Sequence, residues 1–167
     1  MNIIKEIGRL LLVFALQVLL FDHLHIGSLG IVMMYILFLI NLPTRTPRWA
    51  EMLIGVGVGM MMDIWHSSLG IHMAACVALT FVRPILLTNA IQDIERIKDN
   101  LSIQNIGPAE YTKCAVLLTV LHHFIVLSLE MWSIHMWWMV LLQTLVSSAM
   151  TLCVILGYEY LKRYHDK

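Results

Sequence analysis

Charge is what this sequence has least of. Asp, Glu, Lys and Arg make up 13% of its 167 residues, against about 25% in a soluble domain. That shortage excludes a large solvated surface. Formal net charge is zero, which excludes a broad basic face for nucleic acid. The three cysteines, Cys76, Cys114 and Cys153, lie far apart in apolar segments. They form neither a CxxC motif nor a disulfide framework and read as buried thiols. No GxGxxG, GxxxxGK or HExxH is present, and no nucleophile-base or paired-carboxylate motif. The sequence therefore specifies no catalysis and no cofactor, and we expect a non-enzymatic protein.

What is present is apolar. Hydrophobic residues are 59% of the chain, and the mean hydropathy is +0.79. That leaves room for about six spans of roughly 20 residues and little for a soluble domain. The opening stretch MNIIKEIGRLLLVFALQVLLF resembles a signal peptide. It lacks a small-x-small cleavage site and further spans follow, so we expect a retained first helix.

The stretch RTPRWAEMLIGVGVGMMMDIWHSSLGIH, Arg45 to His72, sets the pattern. A basic turn leads into an uncharged run from Met52 to Met62, and the run ends on a turn bearing acid and histidine. An amphipathic helix of a soluble protein would show a polar face at 3.6 spacing, and this run does not. It reads as one pass through a bilayer.

The same logic predicts an all-α integral membrane protein with spans at about 7–21, 29–42, 49–65, 69–87, 112–129 and 135–157. Span one is short, and Arg9 is expected to snorkel so that the helix can begin earlier. Gly27, Ser28 and Gly30 fit a tight bend or hairpin tip. Arg83-Pro84 predicts a kink or an early exit from span four. In the polar segment after it, Ile91, Ile94, Ile97 and Leu101 recur at helical spacing. Two readings fit 90–104: an amphipathic interfacial helix and a solvated connector.

Counting charges tests the topology. With six spans, all 11 basic residues fall on one side, and the turns around Asp22, Asp63 and Glu130 contain none. The positive-inside rule then places both termini in the cytoplasm. A five-span arrangement, with one early span re-entrant, would move the C-terminal basic group across. The first and second of those turns are also similar, DHLHIGSLGI and DIWHSSLGI. Duplicated hairpins and chance similarity both account for that.

Several residues carry possible chemistry. Asp63 sits inside the end of span three, where a carboxylate needs a partner. It is either part of a ligand-binding or partner-binding polar cluster, or a cap for the following helix with Ser67 or Ser68. Asp22, His23, His25, His66, Glu130 and His135 form a candidate polar cluster on the same face. Zinc accepts such ligands, but they come from separate turns, and no metal is assigned. His122 and His123 are adjacent and point in different directions. They read as interhelical hydrogen-bonding groups. Gly55 and Gly59 form a GxxxG suited to close helix packing. Met60, Met61 and Met62 read as soft packing or lipid contact.

The central stretch resembles a known family. The turn with Pro43, Arg45, Pro47, Arg48 and Trp49 leads into a span with Gly55, Gly59 and Asp63, then Leu69, Gly70 and His72. This order is similar to MreD, the bacterial rod-shape-determining membrane protein family. Arg83-Pro84 after it looks like the branch from Bacteroides-type bacteria. The likeness covers about residues 5 to 160 in length and order, in detail 43 to 84. Many members carry a Pro-Asp pair at the start of span two, where this chain has Gly27-Ser28-Leu29-Gly30, so no role for that carboxylate carries over.

The resemblance implies a six-helix bundle resembling the substrate-binding subunits of vitamin-uptake transporters. It also implies a scaffold of the cell-elongation complex in the bacterial inner membrane. There it would associate with a bitopic MreC-like protein, and through it with the actin-like MreB filament. A RodA-type glycosyltransferase and a class B transpeptidase would work in the same complex. The alternative is a substrate-binding membrane subunit of a small-molecule transporter. That reading expects a polar cavity walled by Trp65, Trp132 or Trp137.

Overall fold

A computed structural model describes residues 3–23, 25–26, 30–90, 101–131 and 137–165. It is an all-α bundle. The order is α1 (Ile3–Leu19), a 3-10 turn (Phe21–His23), two short strands β1 (His25–Ile26) and β2 (Gly30–Ile31), α2 (Ile36–Ile40), α3 (Arg48–His66), α4 (Ile71–Ala90), α5 (Ile103–Ile106), α6 (Pro108–Glu130) and α7 (Trp137–His165). Three of these, α4, α6 and α7, are long and apolar enough to cross a membrane. That marks a membrane-embedded protein.

The long helices pack in series, α3 on α4, α4 on α6 and α6 on α7. Gly55 and Gly59 explain how close α3 and α4 come. A Cβ at Gly59 would collide with the backbone of Met73, and one at Gly55 would crowd Thr80 and the Cys76 carbonyl. Gly57 between them faces open space. The outward surfaces are apolar, with Leu11, Leu12, Phe81, Trp138 and Leu145 all exposed. This arrangement suits lipid rather than water.

The expected second span is built differently. Among the described residues of 29–42, only Ile36–Ile40 is α-helical. The chain enters as β2, paired antiparallel with β1 through His25↔Ile31 and Ile26↔Gly30. It then runs through the core, and every residue from Val32 to Pro43 is buried. Irregular backbone is tolerated at membrane depth only where protein surrounds it and satisfies its polar groups. Here side chains from the neighbouring helices do so. Ile31 N–H donates to Ser147 Oγ at 3.1 Å, and Met33 N–H to Thr151 Oγ1 at 3.2 Å, both on α7. Gln17 of α1 accepts from Met34 N–H at 2.6 Å and donates to the Val32 carbonyl at 3.0 Å. Arg83 of α4 donates to the Ile40 carbonyl at 3.0 Å and also to that of Leu42.

Helix α1 begins at Ile3, ahead of position 7, an earlier start as expected for the short first span. Other expectations are corrected. Arg9 does not snorkel. It turns inward and donates to the Asn41 carbonyl at 3.0 Å, satisfying an acceptor at the buried C-terminal end of α2. Of the two readings for Arg83-Pro84, a kink and an early exit, the exit is overturned, because Pro84 lies inside α4, which continues to Ala90. The two Ser-Leu-Gly-Ile copies end differently, Gly30–Ile31 as a strand and Ile71 as the start of α4. Tertiary partners, not the local repeat, decide the conformation. Cys76 and Cys114 are buried, but Cys153 is exposed on α7. Residues 91–100, most of the expected interfacial helix, lie outside the described residues. Ile103–Ile106, at the end of that range, is a separate short helix.

Candidate functional site

The bundle has two polar ends. One end gathers Arg9, Asn41, Glu51, Arg83, Tyr111 and Glu159, and we call it the basic end. Arg83 is fully buried and pairs with the Glu51 carboxylate at 2.5 Å. Its guanidinium also holds two carbonyls of the buried segment, so the charge is both neutralised and hydrogen-bonded. Beside it, Asn41 donates to Glu159 at 2.6 Å and accepts from the Tyr111 hydroxyl at 2.9 Å. Glu159 also accepts from Ile103 N–H at 3.3 Å. The turn residues Arg45, Pro47 and Arg48 are exposed at this end, with Pro47 in the N-cap position of α3.

The opposite, acidic end is organised by the turn between α3 and α4. Ser67 closes α3 in the left-handed region, φ 55°, and Gly70 follows at φ 84°. The Asp63 carboxylate then accepts from the backbone N–H groups of His72 and Met73, both at 2.9 Å, and from Ser68 Oγ at 2.6 Å. These are orphan donors of the first turn of α4, where the helix dipole also favours a negative charge. Of the two readings for Asp63, the cap is the one its geometry shows. Leu69, at the tip of the turn, is fully exposed.

The cap sets His72 at the floor of a cavity of about 360 Å³. His72 Nδ1 lies 2.9 Å from the Tyr35 hydroxyl, and the same hydroxyl lies 3.1 Å from His122 Nε2. The hydroxyl has one proton to donate, to one of the imidazoles or to Met33 Sδ at 3.6 Å, so at least one imidazole must present an N–H to it. Cys76 Sγ is 3.7 Å from the same His122 nitrogen. His123 points elsewhere, with Nε2 3.2 Å from Thr151 Oγ1.

Higher in the cavity, His66 stacks on His72 with ring centroids 5.1 Å apart. Its Nε2 is 3.6 Å from Asp22 Oδ2. Asp22 also accepts from Gln17 Nε2 at 2.7 Å and from the Trp65 indole at 2.8 Å. Glu130, at the end of α6, completes the wall. Ile31, Met33 and Met62 give it an apolar side.

The structure thus brings Asp22, His66, His72 and Glu130 into one cavity. Asp63 is close by but its carboxylate is taken up by the cap. His23 is exposed in the 3-10 turn and does not line the cavity. Of His25 only the backbone is described, and His135 and Trp132 lie outside the described residues. Trp137 is exposed at the start of α7, and Trp65 reaches the cavity only through Asp22. Among the described residues, no three His, Cys, Asp or Glu side chains are placed to hold a metal.

Sequence reasoning missed Gln17, Tyr35, Asn41 and Glu159. Their one signal was being polar within or beside apolar runs. Such residues usually face the bundle interior.

These features define a class: a membrane-embedded helical bundle that clasps a buried, largely non-helical segment and keeps a polar cavity at one end. No protein-family profile matches the chain, and no curated protein and no solved structure is significantly similar to it.

Proposed function

We propose that this protein is an MreD-type scaffold of the bacterial cell-elongation complex, with no catalytic activity of its own. One observation carries the proposal. Four of the residues that resemble the family, Gly55, Gly59, Asp63 and Arg83, make contacts that hold the bundle together. Gly55 and Gly59 set the α3–α4 approach, Asp63 caps α4, and Arg83 ties α4 to the buried segment. A family pattern concentrated on architecture fits a protein whose work is to present helix faces to others.

In this reading the chain makes six passes of the inner membrane, one of them the irregular segment 29–42. The basic end and both termini face the cytoplasm. Partner contact is spread over the exposed apolar faces, because single interhelical polar contacts contribute only about 0.6–2 kcal/mol. The partners are a bitopic MreC-like protein, the RodA-type glycosyltransferase and class B transpeptidase, and indirectly the MreB filament.

The cavity favours a second reading, a substrate-binding membrane subunit for a small molecule taken from outside. Co-purification of the tagged protein in mild detergent from its own cells separates the two. Recovery of a bitopic protein and wall synthases supports the scaffold. Recovery of an ATPase with its membrane coupling subunit supports the transporter and sinks the scaffold.

A further inference from the structure

The cavity at the acidic end is lined by two carboxylates, Asp22 and Glu130, and by no Lys or Arg. In sequence, 20–31, 63–72 and 130–136 contain no Lys or Arg, and their basic groups are histidines, of which His66 and His72 line the cavity. The nearest cations along the helices, Arg9 and Arg83, are engaged at the other end of the bundle. Asp22 spends one acceptor site of each oxygen on Gln17 and Trp65, and its Oδ2 also faces His66 Nε2 at 3.6 Å. A carboxylate offers about four such sites, so at least one remains. Two carboxyl groups against one imidazole in a partly enclosed space favour an added positive group there, more strongly than in bulk water.

The cavity's size and walls narrow that counter-charge. At about 360 Å³ it is within the range of small-molecule sites and larger than a bare ion requires. Its floor is the Tyr35 hydroxyl and His72, both almost fully buried. Its side is apolar, with Ile31, Met33 and Met62. An occupant that fits has a charged head with several N–H donors and a short alkyl stem.

We propose that this cavity is a binding site for an alkylammonium or alkylguanidinium group. Two sources present that chemistry: a free amine, and a Lys or Arg side chain of a membrane partner. The inference rests on the cavity alone. A failed co-purification leaves it standing, and a failed amine titration leaves the proposed complex standing.

The test uses the purified full chain in detergent. The probes are n-butylamine and butylguanidine, with n-butanol and butyrate as neutral and anionic isosteres. Thermal unfolding and titration calorimetry are the readouts. Both cations are expected to bind saturably, and the isosteres are not. Asp22→Asn is expected to weaken binding by about tenfold or more, the loss of one charged hydrogen bond. Glu130→Gln, at the rim, is expected to weaken it too, and serves if Asp22→Asn fails to fold. Glu110→Gln on the exposed start of α6 is the unaffected control.

Equal shifts from butanol and butylamine would overturn the proposal. So would wild-type affinity in Glu130→Gln, or a response to zinc and not to amines. Native mass spectrometry of protein extracted from its own membranes separates the sources. A bound amine lost from Glu130→Gln identifies a free ligand, and a partner protein lost from the same variant identifies a side chain. Identical bound species in both proteins would overturn the site.

Discussion

At the basic end the buried segment is held by charged groups. Arg83 grips two of its carbonyls and Arg9 another, and Glu51 and Glu6 balance them. At the acidic end the same segment is held by neutral groups, Gln17, Ser147 and Thr151, while its own Tyr35 hydroxyl meets His72, and space remains open. The difference follows from what each bond costs. A buried ion must be fully surrounded by partners, so charges draw the structure closed around them. Neutral amides and hydroxyls tolerate a cavity at their side, because a lost partner costs them less. The end that is closed is built to stay fixed, and the end with room is where a ligand or partner group can enter.

Breaking the closed end has the largest expected effect. Arg83→Met leaves Glu51 buried without its cation and frees two carbonyls. Thermal unfolding in detergent should show a loss of about 3–5 kcal/mol. Replacing Glu51 by Gln in that variant should recover part of the loss, because the unpaired buried charge is then gone. A smaller loss in the single variant than in Gln17→Leu would invert the comparison. Gln17→Leu at the open end strands Met34 N–H and the Val32 carbonyl. It is expected to cost about 1–3 kcal/mol.

The α3–α4 contact lies between the ends and sharpens the comparison. Gly59→Ala should cost about 1–3 kcal/mol by overpacking against Met73, while Gly57→Ala, facing open space, should be neutral or slightly stabilising. Similar melting temperatures for the two variants would show that the close approach does not matter. The smallest expected loss is from Asp63→Ala, about 0.5–2 kcal/mol for the missing cap. Because the cap positions His72, this variant should still insert yet retain less partner in quantitative pull-downs from matched membrane levels. Unchanged retention would detach the acidic end from partner binding.

Part of this was legible from the chain alone. Uninterrupted apolar runs indicated the long helices, because in a chain this short a helix without a polar face has no large soluble core to enter. GxxxG spacing indicated where α3 would meet a neighbour. For Asp63 the sequence offered a cluster and a cap, and both depend on the same local spacing. Residues 29–42 were not legible. Their apolarity fits a spanning helix and an irregular buried segment equally well, since both are buried on every side. What distinguishes them is the set of side chains that meet the backbone, and those come from α1, α4 and α7.

The sequence by itself determined the solvent. Too few charges and long apolar runs mark a chain embedded in a membrane. It also determined the charge polarity, because basic residues are absent from three of its turns. Only the tertiary structure decided which polar residues meet. Arg83 with Glu51, Tyr35 between His72 and His122, and Asp22 with Trp65 join positions more than thirty residues apart. Hydrogen bonds at such separations depend on helix packing and register, which local spacing does not encode.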